Sequence, residues 1–288
     1  MNRTAVVAFC GFFLLLFAVS HVLLAEQGGG NRRGTGSSCT YNWMANAKHV
    51  YFKSDSDWAT NTIPDDECTT SCTAQTLNTS TGINETDLTT SGLPAGTGAS
   101  RVMLPFTAAD DQATSNVRLM QAANNGDWAF CAWMRITQTN TEDLVTHTSS
   151  GNTADAFLYA NTTLGIVGLF TQGNSTDLLT SLSAITVNTW SHICWSVDND
   201  GSAGGTDVRK IYVNGVQQAN DNGPDNTGGT LASTGFRTAG SNFLYEVHEG
   251  VFMHQAITAN QACQVMSCGV DDSATFATRR STYGACTL

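Results

Sequence analysis

The sequence predicts an all-β protein, a two-sheet antiparallel sandwich with one short C-terminal helix. Three observations lead there. Short runs rich in Val, Ile, Phe, Trp and Thr recur with Gly, Asn and Asp turns between them, as the strands of a sandwich do. Helical periodicity is nearly absent over the same stretch. Asn214-Gly215, set between two such runs, is the strongest short-range hairpin signal in the chain. A chain of 288 residues is long enough to bury a substantial core without help.

In chain order, Arg3, the apolar run from Ala5 to Leu16, its continuation "FAVSHVLLA" and the small Ala25 predict a secretory signal peptide over residues 1–25. Nothing later approaches a membrane span. Residues 26–38, "EQGGGNRRGTGSS", read as a flexible Gly/Ser tether, and 39–288 as a single sandwich domain. Within it "KHVYFKS" is a strand, and the polar tract 55–98 is a long excursion pinned by disulfide. The further strands are "RVMLPF", "NVRLMQA", "WAFCAWMRI", "DLVTHTS", "AFLYAN", "LGIVGLF", "DLLTSLSAI", "WSHICWSV", "VRKIYVNGVQ" and "LYEVHEGVFMH". The turn "DNDGSAGGTD" joins two of them as a hairpin, and Asn214-Gly215 extends the meander. Thr258 with Gln261 three residues on makes a capping box, which starts a helix from Ala259 to about Met266.

Loss of the signal removes Cys10 and leaves Cys39, Cys68, Cys72, Cys131, Cys194, Cys263, Cys268 and Cys286. An even number in an exported chain points to disulfides, whose connectivity the spacing leaves open. Cys39 with Cys286 would tie the termini, while Cys68 with Cys72 and Cys263 with Cys268 are local options. The spacings lack the paired Cys-x2-Cys rhythm of structural zinc sites. A net charge of -11 disfavours nucleic acid and anionic membranes as partners.

The stretch "NTWSHICWSVDNDGSAGGTDVRKIYVNGVQ" resembles the signature of laminin-G-like and pentraxin-like domains of the concanavalin A class. Its Trp, His, apolar strand, Asp-Gly turn and Tyr-Val-Asn-Gly strand come in the family's order. "DWAFCAWMRI" is similar to an upstream family strand, and "HEGVFMHQAITANQACQV" to the closing strand and helix, with Glu249 at the family's acidic position. The resemblance spans about Asn116 to Met266 and implies a jelly-roll sandwich of the concanavalin A type. Pentraxins join the two strands that correspond to "AFCAW" and "HICWS", so the resemblance also implies a Cys131–Cys194 disulfide. It makes Trp128, Trp133, Trp190 and Trp195 core residues and His192, His248 and His254 structural groups. Trp43 and Trp58, outside the matched region, are freer to be exposed.

The candidate sites are sparse. The pentraxin calcium run has no counterpart in "RTAGSNFLYEVHEG". Laminin-G domains hold one calcium at the sandwich rim through hard oxygen ligands, and Asp198, Asn199, Asp200 and Asp207 share one loop that could do this. No cofactor is required by the sequence; calcium is the one candidate. Sequons stand at Asn78, Asn84, Asn161 and Asn174, about as many as this composition produces by chance. For catalysis, Glu85-Thr86-Asp87 lacks the third carboxylate of the fold's glucanases, His248 follows Glu246 rather than a Gln, and Gly-x-Ser-x-Gly is absent. The expectation is a secreted, non-catalytic module that binds carbohydrate or an extracellular protein, with no nucleic-acid partner and no membrane span after signal cleavage. The alternative is a homo-oligomeric structural subunit of an extracellular layer or filament, and the third reading is a polysaccharide-degrading enzyme.

Overall fold

The strand "WAFCAWMRI" has no polar alternation because both faces of its sheet are covered. In the computed structural model it is β6, Trp128–Ile136, and it is buried from Trp128 to Met134. The structure describes residues 47–51, 62–63, 77–79, 83, 87–89, 91–97, 104–107, 111–115, 119, 126–137, 141–149, 154–161, 165–171, 178–181, 185–198, 206–224, 231–237, 244–269 and 276–284. These residues all fall in one compact unit, Gly34–Leu288.

The strands are β1 Ala47–Tyr51, β2 Thr62–Ile63, β3 Leu77–Thr79, β4 Leu104–Phe106, β5 Gln112–Ser115, β6, β7 Thr141–Ser149, β8 Ala154–Asn161, β9 Ile166–Thr171, β10 Leu178–Thr180, β11 Ser191–Asp198, β12 Thr206–Val213, β13 Val216–Pro224, β14 Leu231–Arg237 and β15 Tyr245–Met253. One sheet runs β1-β15-β6-β11-β12-β13, with β4 also pairing β15; the other runs β10-β9-β8-β7-β14-β5-β3-β2. Every described ladder is antiparallel. The predicted two-sheet sandwich is present.

Side-chain alternation in the first sheet separates two layers. Phe130, Ala132, Met134, Ile193, Trp195, Val197 and Ile211 face the second sheet's Val167, Leu169, Leu179, Ala113 and Phe236 in one apolar core. The Trp195 ring stacks on Phe130, and its Nε1 donates to the Gly168 carbonyl on β9 at 2.9 Å, a hydrogen bond that crosses between the sheets. The alternate residues Ala129, Cys131, Cys194, Tyr212 and Val251 point the other way, against Ala262 and Val265 of helix α1, Ala259–Cys268. This outer layer explains the unbroken apolar runs, since a sheet covered on both faces has no polar side.

The capping box at Thr258 and Gln261 opens α1 as the sequence predicts. A second helix, α2, Phe276–Tyr283, was not expected: its sequence, "FATRRSTY", carries no apolar stripe and reads as a polar tail. The 55–98 excursion is also more integral than expected, because β2 and β3 add to the edge of the second sheet and bury Ile63 and Leu77. Of the strand expected over "NVRLMQA" only Leu119 is among the described residues, and it is buried and outside any strand; β5 lies just upstream. The hairpin joining β11 to β12 and the tight Asn214-Gly215 turn into β13 form as expected, with φ of +50° and +73° at the two turn residues.

Candidate functional site

The sheet's pairing places three rings in a row on the outer face. His248 of β15 and His192 of β11 are both cross-strand partners of Trp133 on β6. The Trp133 and His192 ring centroids lie 5.1 Å apart, edge to face. Immediately after His248 the β15–β6 register breaks: Trp133 and Cys131 pair with His248 and Val251, so Glu249 and Gly250 oppose the single Ala132. Glu249 occupies this bulge at φ +50°, a left-handed conformation that costs a residue with a side chain roughly 1 kcal/mol or more.

That conformation aims a carboxylate at Arg279 of α2. The Arg279 Nη1 donates to Glu249 Oε2 at 2.9 Å and Nη2 to Oε1 at 2.8 Å, a two-pronged charge-assisted pair. The same guanidinium donates to the Met266 carbonyl of α1 at 3.2 Å and to Thr97 Oγ1 at 3.4 Å, and it lies 5.3 Å over the Trp133 ring. His248 Nε2 is 3.4 Å from Glu249 Oε1. Room for the arginine comes from Gly269, the cap of α1, at φ +60°: a Cβ there would collide with the Arg279 guanidinium.

Electrostatics follow from burial. His192 is lowered to about 3 by burial and then by the Arg279 charge, with Glu249 acting in the opposite sense, so its ring is neutral at pH 7. Burial alone would raise Glu249, yet the Arg279 charge, with His248 beside it, holds the carboxyl well below the usual carboxylate range. Tyr283 is raised by burial, and its ring packs 4.5 Å from Trp133 while its hydroxyl accepts from the Ala95 amide at 2.7 Å. The segment 91–97 is tied down further by Trp190 Nε1, which donates to the Gly92 carbonyl at 2.7 Å, and by Arg135, which reaches the same carbonyl at 3.4 Å while pairing with Glu246. Arg279, Glu249, His248 and His192 are all buried. The cluster therefore fastens α1, α2 and 91–97 onto the first sheet, and it presents no reactive atom to solvent.

The residues singled out in the sequence are distributed as follows. Cys131 and Cys194, directly opposite each other on β6 and β11, form a disulfide on the outer face beneath α1. Cys263 and Cys268 are also disulfide-bonded. They do not bond each other as the local option required: five residues of helix rise about 7.5 Å, and a disulfide cannot bridge Cα atoms more than about 7 Å apart. Cys39, Cys68, Cys72 and Cys286 lie outside the described residues.

Among the calcium candidates, Asp198 is exposed at the end of β11 and Asp207 lies in β12, whereas Asn199 and Asp200 fall outside the described residues. No group of three or more His, Cys, Asp or Glu suited to a metal occurs among the described residues. Asn78 is exposed on β3 and Asn161 ends β8, while Asn84, Asn174, Trp43 and Trp58 lie outside them, as do the signal and tether segments. Trp128, Trp133, Trp190 and Trp195 are all buried. His254 Nε2 is 3.0 Å from the Leu119 carbonyl. No described helix is long and apolar enough to cross a membrane. Arg279 had no signal of its own in the sequence; the one hint was Glu249, a second carboxylate after Glu246 in a mostly apolar strand.

No curated protein matches the sequence. Among solved structures, the receptor-binding domain of botulinum neurotoxin type G aligns over 76% of this chain and 50% of its own, with a TM-score of 0.52 and 10% identity. The binding domain of botulinum neurotoxin DC in complex with SialylT aligns over 76% and 50%, at 0.53 and 10%. The same domain in complex with rat synaptotagmin II aligns over 76% and 51%, at 0.51 and 12%. The chain thus covers about half of these binding domains, and at such identities the likeness is one of fold. A laminin-G-type family model, described as the concanavalin A-like lectin/glucanases superfamily, matches residues 107–261, more than half of the chain. The three sequence blocks, the two-sheet sandwich and this match agree, and the chain belongs to the concanavalin A-like lectin/glucanases superfamily.

Proposed function

We propose that the protein is a secreted, non-catalytic recognition module that binds a glycan or an extracellular protein. The observation that carries this reading is a lectin-superfamily sandwich whose first sheet is sealed on its outer side by α1, α2 and 91–97. That arrangement leaves the outer face of the second sheet and the loops at the rim for a ligand. Exposed Gln112 on β5 and Asn78 on β3 are on the open side. Structural neighbours that are binding domains, one solved with SialylT and one with synaptotagmin II, support recognition as the function. The Cys131–Cys194 disulfide and the signal-type N-terminus support export. The β11–β12 turn, with Asp198, Asn199, Asp200 and Asp207, is the place where calcium would act.

Glycan-array binding with calcium and with a chelator, together with a screen of displayed extracellular proteins, tests the reading. Saturable binding in either screen supports it. Large ordered assemblies by light scattering, with no binding in both screens, would overturn it in favour of a structural subunit. Release of reducing or unsaturated sugar ends from polysaccharide would overturn it in favour of an enzyme.

A further inference from the structure

Helix α2 is attached in an unusual way. Of its residues with described side chains, 278–283, Arg279 alone is buried and Arg280 and Tyr283 are partly so; Thr278, Ser281 and Thr282 face solvent. Eight residues are too few for a stable helix in isolation, so its order depends on docking. The described docking contacts combine one apolar contact, Tyr283 against the Trp133, Trp190, Cys263 and Met266 cluster, with several polar ones. The polar ones are the Arg279–Glu249 pair, the Arg279 bonds to Met266 and Thr97, and the Tyr283 bond with Ala95. Helix α2 and 91–97 both lie outside the residues matched by the family model, yet they are bonded to each other across Trp133. Beneath them the sandwich has its own apolar core between the sheets, to which no described side chain of either segment contributes.

We propose that α2 is an acid-released latch: it is held on the first sheet by the Arg279–Glu249 pair and leaves the sheet in acid while the two-sheet body stays folded.

The charged and titratable groups that meet at the latch are Arg279 and Tyr283 from α2, Glu249 and His248 from β15, and His192 from β11. From α1 the contact is the Met266 carbonyl, and from 91–97 the Thr97 hydroxyl and the Ala95 amide, none of which titrates. When Arg279 withdraws, Glu249 loses its counter-charge and takes up a proton more readily. His192 changes in the same sense, because the Arg279 charge also holds it down. The undocked state therefore binds more protons, and acid favours it. Each such proton weakens docking up to about tenfold per pH unit.

Hydrogen exchange of the full, disulfide-intact chain, corrected for intrinsic rates, reads this directly at pH 7, 5, 4 and 3. The expected result is at least a tenfold loss of protection in 276–283 between pH 5 and pH 3, to a level at least tenfold below that of β6 and β11, whose own protection falls only with global stability. Two results would overturn the proposal: α2 keeps its protection between pH 5 and pH 3, or α2 and β6 fall to the same level of protection. Glu249→Gln removes the charge at every pH and should leave α2 unprotected at pH 7 over a protected β6; a protected α2 in that variant counts against the latch. The wild-type pH series decides the matter even if the variant does not fold.

Discussion

Replacing both Cys131 and Cys194 with alanine removes a cross-link whose contribution can be worked from the topology. The two cysteines are 63 residues apart. The intervening chain comprises β7, β8, β9 and β10, four strands of the second sheet, so the bond closes a loop that leaves one sheet and returns to it. No other cysteine lies between them, and no second disulfide shortens that loop. Chain entropy then assigns about 4 kcal/mol to the cross-link. For a domain of this size that corresponds to roughly 10 °C in Tm, at a few degrees per kcal/mol. Both positions are fully buried under α1, so the lost sulfur atoms add a smaller packing cost. Urea unfolding of the oxidised wild type and the Cys131→Ala/Cys194→Ala variant measures the difference. A change below about 1 kcal/mol would refute the idea that this bond restricts the unfolded chain in the way the loop arithmetic requires.

Trp195→Phe removes the hydrogen bond to Gly168 and leaves part of the indole volume empty, a loss of about 2 kcal/mol by urea unfolding. Gly269→Ala sets a methyl group against Arg279 at a positive φ and should cost about 2 kcal/mol or more, measured in the same way; a neutral substitution would show that the cap and the arginine do not share that space. Stability should also fall on acidification from pH 6.5. His192 binds its proton near 6.5 when unfolded but near 3 when folded, so the unfolded state takes up the extra proton across that window. The loss is up to about 1.4 kcal/mol per pH unit, and His192→Asn should flatten the dependence between pH 6.5 and pH 5; an unchanged slope in that variant would contradict the assignment.

What could be read in the sequence followed local physics. β6, β11 and β15 were plain as apolar runs, the β12–β13 turn as Asn-Gly, and the start of α1 as Thr258 with Gln261. The Cys131–Cys194 bond was implied by resemblance, not by spacing. Elements whose order depends on distant partners were not legible. β14, "LASTGFR", mixes small and polar residues and gains its place from pairing with β5 and β7. α2 shows no stripe because its anchor is one arginine meeting a carboxylate thirty positions earlier, and no local pattern marks such a pair. Glu249 itself was visible at the family's acidic position, but the bulge that turns it toward Arg279 is set by register, which a single strand does not encode.

On the proposed recognition function, the ligand sits on the faces left open by the α1–α2 roof. Hydrogen exchange of the protein with a ligand recovered from the glycan or extracellular-protein screen tests it most directly. New protection is expected on the second sheet, β2, β3, β5, β7 to β10 and β14, or on the rim turns such as 198–207. New protection confined to 91–97, α1 and α2, with the second sheet unchanged, would contradict it.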